Sequence, residues 1–300
     1  MKLNVLKQAS LPDALTAELA RRYHLVELTA LTDADFRALA GTFTVLITNG
    51  EATVTRALIA SLPALELIAV FGVGYDGVDV QAAAEHQVRV SHTPGVLTDD
   101  VADLALGLML ATSRQIVAAH KFIEAGEWAA GGFPWTQKVS GSRVGIVGMG
   151  RIGQAIARRC EGFAMQIAYH DRKRLPALNY AWREDLLTLA AESDFLVICT
   201  PGTAANQGLI NQPVLAALGE KGILINISRG SVIDEPALVA ALESGIIAGA
   251  GLDVFSHEPA VPAGLLQRSN VVVTPHMASA TWSTRAAMAQ LVLDNVACWA

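Results

Sequence analysis

Short apolar runs alternate with helix-length amphipathic stretches along this chain. In its first part, LNVLKQA, HLVELT, TVLITN and LELIAVFG are separated by segments such as DADFRALAGT and TRALIASLP. A later series, RVGIVGMG, MQIAYHD, DFLVICTP, GILINISRG, AGAGLDVF and NVVVTPH, is apolar and rich in Val and Ile, as strands buried on both faces should be. Strands alternating with helices in this way predict parallel sheets flanked by helices. Between the two series, TDDVADLALGLMLATSRQIVAAHKFIEAGEW predicts one long helix with Asp99 and Asp100 in its first turn, where the helix dipole favours acids. It reads as the connector between two lobes. The last helix, WSTRAAMAQLVLDNVACWA, is expected to cross back onto the first lobe. The expected architecture is therefore α/β, with two doubly wound parallel-sheet domains and a cleft between them. A discontinuous first domain would span 1–95 plus 282–300, and a second domain 96–281.

Length agrees with two lobes, because single cores usually stop growing near the 300 residues present here. The hydrophobic fraction of 52% and mean hydropathy of +0.38 are high. Yet the longest candidate run, ALIASLPALELIAVFGVG, is interrupted by Glu66 and two turn signals, so no membrane span is expected. The opening MKLNVLKQAS enters strand alternation at once, without the pattern of a secretory signal, which predicts a cytoplasmic location. A net charge of −6 with no basic block argues against a nucleic-acid partner. Cys160, Cys199 and Cys298 are too far apart for a zinc motif, so neither metal nor disulfides are expected, and the partner should be a small molecule.

VGIVGMGRIGQAIA supplies a strand, then Gly148, Gly150 and Gly153, then a helix with Ala157 on its inner face. The first glycine permits a tight turn, the second lets a pyrophosphate approach the backbone, and the third lets helix and sheet pack closely. This is a Rossmann-like dinucleotide signature, with the phosphates on the helix N-terminus. Asp171 ends the next strand, where an acid accepts the ribose hydroxyls of NAD(H). Arg172, Lys173 and Arg174 follow it, and a guanidinium there suits the 2′-phosphate of NADP(H). The other reading of these three is a solvated basic turn. The balance favours NADP(H), with NAD(H) as the alternative.

Two strand ends carry the remaining chemistry, since ligands of open α/β sheets bind at the carboxyl ends of strands. ILINISRGSVIDE ends on Arg229, whose fork of donors suits a carboxylate or carbonyl oxygen; pairing with Asp234 or Glu235 on the surface is the plainer alternative. NVVVTPHMASAT ends on His276, a side chain able to give and take a proton near neutrality. His24, His86, His92, His120 and His170 read as structural or surface residues. In DVFSHEP, His257 and Glu258 are adjacent, but neighbours on a turn point apart, which leaves Glu258 free to serve a histidine elsewhere.

In their order, FGVGYDGVDV, TPGVLTDDVADLALGLML, VGIVGMGRIG, NISRGSVIDE, GLDVFSHEP and TPHMASAT resemble the D-isomer-specific 2-hydroxyacid dehydrogenases, within them the glyoxylate/hydroxypyruvate reductase branch. The resemblance covers the chain from about Phe71 onward. It implies hydride transfer between a nicotinamide and C2 of a 2-keto acid, giving the D-hydroxy acid. It further implies His276 as acid/base, Glu258 as the carboxylate that favours its protonated form, and Arg229 as the group that binds and polarises the keto acid. The backbone amides of Val73 and Gly74 become the cradle for the substrate carboxylate. The resemblance places Arg151 and Ile152 over the pyrophosphate, Thr200 and Pro201 beside the adenosine half, and Ile227 beneath the nicotinamide. By the same resemblance Asp253 would accept from the carboxamide, with Ala278 and Ser279 on the same side. A homodimer built through the connector helix is implied as well.

Three departures from the family pattern stand out. Ala278 replaces a usual glycine, Trp135 stands where a smaller aliphatic residue is expected and could reach a partner subunit, and the sequence stops at Ala300, inside its last helix. The regulatory domain of serine-pathway phosphoglycerate dehydrogenases is not seen. A non-catalytic dinucleotide-sensing corepressor and a phosphite dehydrogenase are the alternatives on the same fold. A formate dehydrogenase would carry glutamine in place of Glu258.

Overall fold

A computed structural model describes residues 2–266 and 268–299. It divides into two compact units, Met1–Leu97 with Ala280–Ala300, and Thr98–Ser279. In the first unit the order is β1 (Asn4–Lys7), α1 (Asp13–Arg22), β2 (His24–Glu27), α2 (Asp33–Leu39), β3 (Val45–Asn49), α3 (Arg56–Ala60), β4 (Leu67–Phe71), α4 (Val80–Glu85) and β5 (Arg89–Ser91). The second unit runs α5 (Thr98–Ser113), α6 (Ile116–Glu124), β6 (Arg143–Val147), α7 (Arg151–Gly162), β7 (Gln166–His170), β8 (Ala181–Trp182), α8 (Leu186–Ala191) and β9 (Phe195–Ile198). It continues with α9 (Gln212–Leu218), β10 (Ile223–Asn226), α10 (Glu235–Glu243), β11 (Gly249–Leu252), α11 (Ala263–Leu266) and β12 (Val271–Val273), and α12 (Trp282–Ala297) returns to the first unit.

The first sheet has the order β2-β1-β3-β4-β5, that of flavodoxin-like folds, and all its pairings are parallel. Its inner strands are apolar because both faces are covered: Val5, Leu6, Val45, Leu46, Ile47 and Ile68 are essentially inaccessible. α12 packs beside β4, with the Arg285 guanidinium 5.5 Å from the Phe71 ring.

The second sheet has the order β12-β11-β10-β9-β6-β7-β8 and is also parallel. The order reverses between β6 and β9, where an open α/β sheet binds its ligand. Leu196, Ile198, Leu224 and Leu252 form part of its core with Leu215 and Leu238 from the helices. Each such side chain contributes about 1.5–3 kcal/mol on burial. Asp99 and Asp103 on α5 hold Arg159 of α7 at 3.1 and 2.5 Å, tying the two packed helices together.

The connector is not one helix. Gln115 takes a left-handed conformation (φ 48°), and α5 and α6 meet there at a 54° bend. No glycine or proline marks the break. Among the described residues no single helix is long and apolar enough to cross a membrane. α5 is apolar because Val101, Ala105, Leu108 and Met109 are buried.

Candidate active site

The glycine turn between β6 and α7 is shaped by close backbone contacts. Gly148 is left-handed (φ 94°), and a Cβ there would lie 2.8 Å from the Thr200 amide nitrogen. A Cβ on Gly153 would lie 2.2 Å from the Gly148 carbonyl oxygen, so only glycine allows α7 to start this close to the strand. Gly150 has open space where its Cβ would be, and as N-cap of α7 it supplies no side-chain hydrogen bond. The amides of Arg151, Ile152 and Gly153 in the first turn therefore form an uncapped, electropositive helix end. These residues fit a dinucleotide pyrophosphate.

Asp171, at the end of β7, is the residue whose use the sequence hides. Its carboxylate accepts from the Met149 amide at 2.9 Å and from the Arg172 amide at 2.7 Å. Gln154 donates to the Met149 carbonyl at 3.0 Å, so the peptide groups of the glycine turn are held from both sides. Asp171 thus fastens the phosphate turn to the turn that carries Arg172 and Arg174. The buried Tyr169 hydroxyl accepts from the Leu175 amide at 2.7 Å and anchors the far end of that turn. Arg172 and Arg174 are exposed and have no ion-pair partner among the described residues.

At the neighbouring strand ends, Asn206 donates to both Thr200 Oγ1 and the Pro201 carbonyl, at 2.9 and 2.8 Å. Asn226, buried at the end of β10, bonds Ser228 and the Arg229 carbonyl and sets the path of that loop. A Cβ on Gly202 would fall 2.7 Å from Arg229 Cγ, and one on Gly230 would collide with the Phe255 backbone at 1.9 Å. These two glycines make room for the arginine stem. Asp234 caps α10 by accepting from the Ala237 amide, and Glu235 accepts from the Ser256 amide, so both acids have structural uses of their own. Ile227 is buried beside them.

His276 is left-handed at φ 49°, a conformation uncommon for a residue with a side chain. Asp253 at the end of β11 imposes it. The His276 amide donates to the Asp253 carbonyl at 2.9 Å, while the Asp253 carboxylate accepts from Thr274 Oγ1 (2.6 Å), the Met277 amide (2.9 Å) and the Ala278 amide (2.9 Å). Asp253 is fully buried, and burial pushes its carboxyl up against these hydrogen bonds. Its carboxylate is committed to the turn that carries His276, so a carboxamide would have to share Oδ2 with Ala278. Thr274 is a participant that the sequence reading did not single out. Ala278 is buried and Ser279 half-buried in the same turn.

His276 Nδ1 lies 2.7 Å from Glu258 Oε2, although the two residues are 18 apart in sequence. Glu258 Oε1 accepts from the Phe255 amide at 2.8 Å. Burial raises the Glu258 carboxyl, but the hydrogen bonds from His276 and Phe255 and the nearby charges of His276 and Arg229 outweigh it and hold it below the usual carboxylate range. Both side chains are about a quarter exposed, at 27% and 25%. His257 is exposed on the turn, its carbonyl bonded to the Ala260 amide, while the imidazole beside Glu258 is that of His276. The pair can hold a proton on the imidazole, with the carboxylate favouring its charged form.

In the first unit, Val73 and Gly74 lie in the loop after β4. Neither amide has an acceptor among the described residues, and both residues are half-buried.

Residues 106–278 match the family described as D-isomer specific 2-hydroxyacid dehydrogenase, NAD binding domain. The chain is 45% identical to the hydroxyphenylpyruvate reductase of Plectranthus scutellarioides, over 98% of this chain and 95% of the relative. It is 40% identical to glyoxylate/hydroxypyruvate reductase A of Arabidopsis thaliana, with the same coverages of 98% and 95%. Among solved structures, the NADPH-dependent glyoxylate/hydroxypyruvate reductase of Sinorhizobium meliloti, in complex with NADP and malonate, superposes with a TM-score of 0.93 at 42% identity, covering 100% of this chain and 94% of that one.

Proposed function

The chain belongs to the D-isomer-specific 2-hydroxyacid dehydrogenases, and on that premise we propose that it reduces a short 2-keto acid of the glyoxylate or hydroxypyruvate type to the D-2-hydroxy acid. It is an NAD(P)-dependent oxidoreductase. The observation that carries the reading is the 2.7 Å contact of His276 with a Glu258 carboxylate held anionic at neutral pH. We assign substrate recognition to the unit of residues 1–97 and 280–300, and dinucleotide binding to residues 98–279.

When bound, the nicotinamide supplies the hydride that reduces the C2 carbonyl carbon. His276 donates the proton that completes the hydroxyl group, and Glu258 stabilises the imidazolium from which that proton comes. Arg229 holds the keto acid and offsets the negative charge that develops on its oxygen. The amides of Val73 and Gly74 grip the carboxylate. Arg151, Ile152 and the glycine turn bear on the pyrophosphate, with Thr200, Pro201, Ile227, Asp253, Ala278 and Ser279 lining the rest of the dinucleotide path.

NADP(H) is the favoured cofactor and NAD(H) the alternative. Arg172 and Arg174 are exposed cations without an ion-pair partner among the described residues, in the turn after β7 assigned to the adenosine end, whereas each Asp171 oxygen already accepts a backbone amide. The Sinorhizobium relative was solved with NADP. Initial rates on glyoxylate, hydroxypyruvate and hydroxyphenylpyruvate with each cofactor test the assignment. NADPH with a short keto acid should give the highest kcat/KM, whereas a wide margin for NADH would return the choice to Asp171.

Glu258→Gln tests the proton donor. The wild-type carboxylate is held below its ordinary range, so it stays anionic as the pH falls through neutrality and favours the protonated imidazole. A neutral amide removes that preference. The alkaline limb of the kcat/KM profile for reduction should therefore move to lower pH, while the same change at His257 leaves the profile in place. An unmoved limb in Glu258→Gln would remove Glu258 from the mechanism.

The enzyme is proposed to work in the cytoplasm as a homodimer. Supporting the dimer, Ile116, Val117, Ile123, Trp128 and Trp135 are exposed large apolar residues within one short segment, Trp135 fully so at 101%. A groove of about 840 Å³ beside them is lined by Val117, Phe122, Phe133 and Leu266. Sedimentation should show a dimer that the double substitution Ile123→Ser with Trp135→Ser converts to monomer. A wild-type monomer would contradict the proposal.

A further inference from the structure

The loop after β4 is tied to the segment after β5 by consecutive carbonyl groups. The Thr93 amide donates to the Gly72 carbonyl at 2.8 Å, and His92 Nδ1 lies 2.9 Å from the Val73 carbonyl. A carbonyl oxygen only accepts, so Nδ1 carries the hydrogen. The Tyr75 ring meets the His92 ring edge-on, with centroids 5.0 Å apart and planes at 76°, which fixes the plane of the imidazole.

In a trans peptide the C=O and the following N–H point in opposite directions. Among the described residues the one cis bond is Glu258–Pro259, so the Gly72–Val73 and Val73–Gly74 bonds are trans. A Gly72 carbonyl turned toward Thr93 therefore sends the Val73 N–H the other way, and a Val73 carbonyl turned toward His92 does the same for the Gly74 N–H. Among the described residues neither of these two amides has an acceptor.

We propose that His92 is a positioning residue for substrate recognition: its Nδ1–H bond to the Val73 carbonyl, beside the Thr93 bond to the Gly72 carbonyl, aims the Gly74 and Val73 amides as a pair at the substrate carboxylate. The inference rests on the reading of Val73 and Gly74 as the carboxylate cradle. Aiming costs nothing during binding because the peptide planes are set beforehand. The hydrogen-bonding atom is what matters, so a side chain that can place an N–H at the same point serves in its stead. Asparagine, whose amide nitrogen sits at the same distance along the side chain as Nδ1, is such a side chain.

The test compares His92→Leu, His92→Asn and Gly74→Pro in the full-length enzyme, reading kcat and KM for glyoxylate and the NADPH Kd by nicotinamide fluorescence. Gly74→Pro deletes an amide donor to a charged group and should raise the glyoxylate KM roughly ten- to a hundredfold. His92→Leu should raise it about tenfold at nearly unchanged kcat, His92→Asn should restore a KM near that of wild type, and NADPH Kd should be constant throughout. A wild-type KM in His92→Leu, with KM raised in Gly74→Pro, overturns the role of His92 and leaves the cradle standing. A wild-type KM in Gly74→Pro overturns the cradle itself. Equal losses in His92→Leu and His92→Asn show that the ring fills space and does not aim the peptide. Should leucine crowd Tyr75 and abolish NADPH binding, His92→Ala supplies the same comparison.

Discussion

His276→Ala is expected to lower kcat for keto-acid reduction by about 10³-fold, within the 10²–10⁴ that positioned acid catalysis supplies, while NADPH binds as before. The separation follows from the geometry. The glycine turn, Asp171 and α7 make no use of the imidazole, and the turn that carries it is fastened through the Asp253 carboxylate and backbone groups that the substitution leaves in place. Alanine also removes a histidine from a left-handed position at φ 49°, where any Cβ-bearing residue is strained, so the backbone must be held by Asp253 in both proteins. Steady-state kinetics with a fluorescence titration of NADPH measure both quantities. Wild-type turnover would dispose of His276 as proton donor, and lost cofactor binding would mean that the substitution had disturbed the turn.

Arg229→Lys has the second largest expected effect, a fall of about 10²-fold in kcat/KM, the scale of removing one preorganised donor to a developing oxyanion. Lysine keeps the charge but loses the planar fork. The structure invests in that fork: Gly202 and Gly230 are spaces that a methyl group would close, and Asn226 holds the Arg229 carbonyl at 2.9 Å. A lysine variant with wild-type kcat/KM for glyoxylate would show that charge alone suffices and that the arrangement around the stem serves packing. The expected pattern is a larger loss in kcat/KM than in NADPH affinity.

Much of this was legible in the chain because central parallel strands must be apolar throughout, and DFLVICTP, GILINISRG and NVVVTPH announce themselves in that way. Two of these runs end on Arg229 and His276, which the strand-end rule singles out, while Thr200 at the end of the third is singled out only by the family resemblance. β5 and β8 were not legible, since Arg89–Ser91 and Ala181–Trp182 are edge strands of three and two residues with no apolar run. The break at Gln115 carries no glycine or proline, so the sequence there predicts continuous helix. Partners distant in sequence were the hardest to see. Asp171 reads from its position as a cofactor acceptor and Asp253 from the family resemblance, and what neither reading shows is that their carboxylates also hold the Met149 amide and the His276 turn. His92 looked like any surface histidine because its partner is a backbone carbonyl 19 residues earlier.

The most direct test of the central claim is isotope transfer. NADPH carrying deuterium at the transferable C4 position, incubated with the enzyme and hydroxypyruvate or glyoxylate, should yield hydroxy acid with one deuterium on C2 by mass spectrometry, and with hydroxypyruvate the product should be the D enantiomer. A protein that binds NADPH yet gives unlabelled product, the L enantiomer or no turnover with these short 2-keto acids would contradict it.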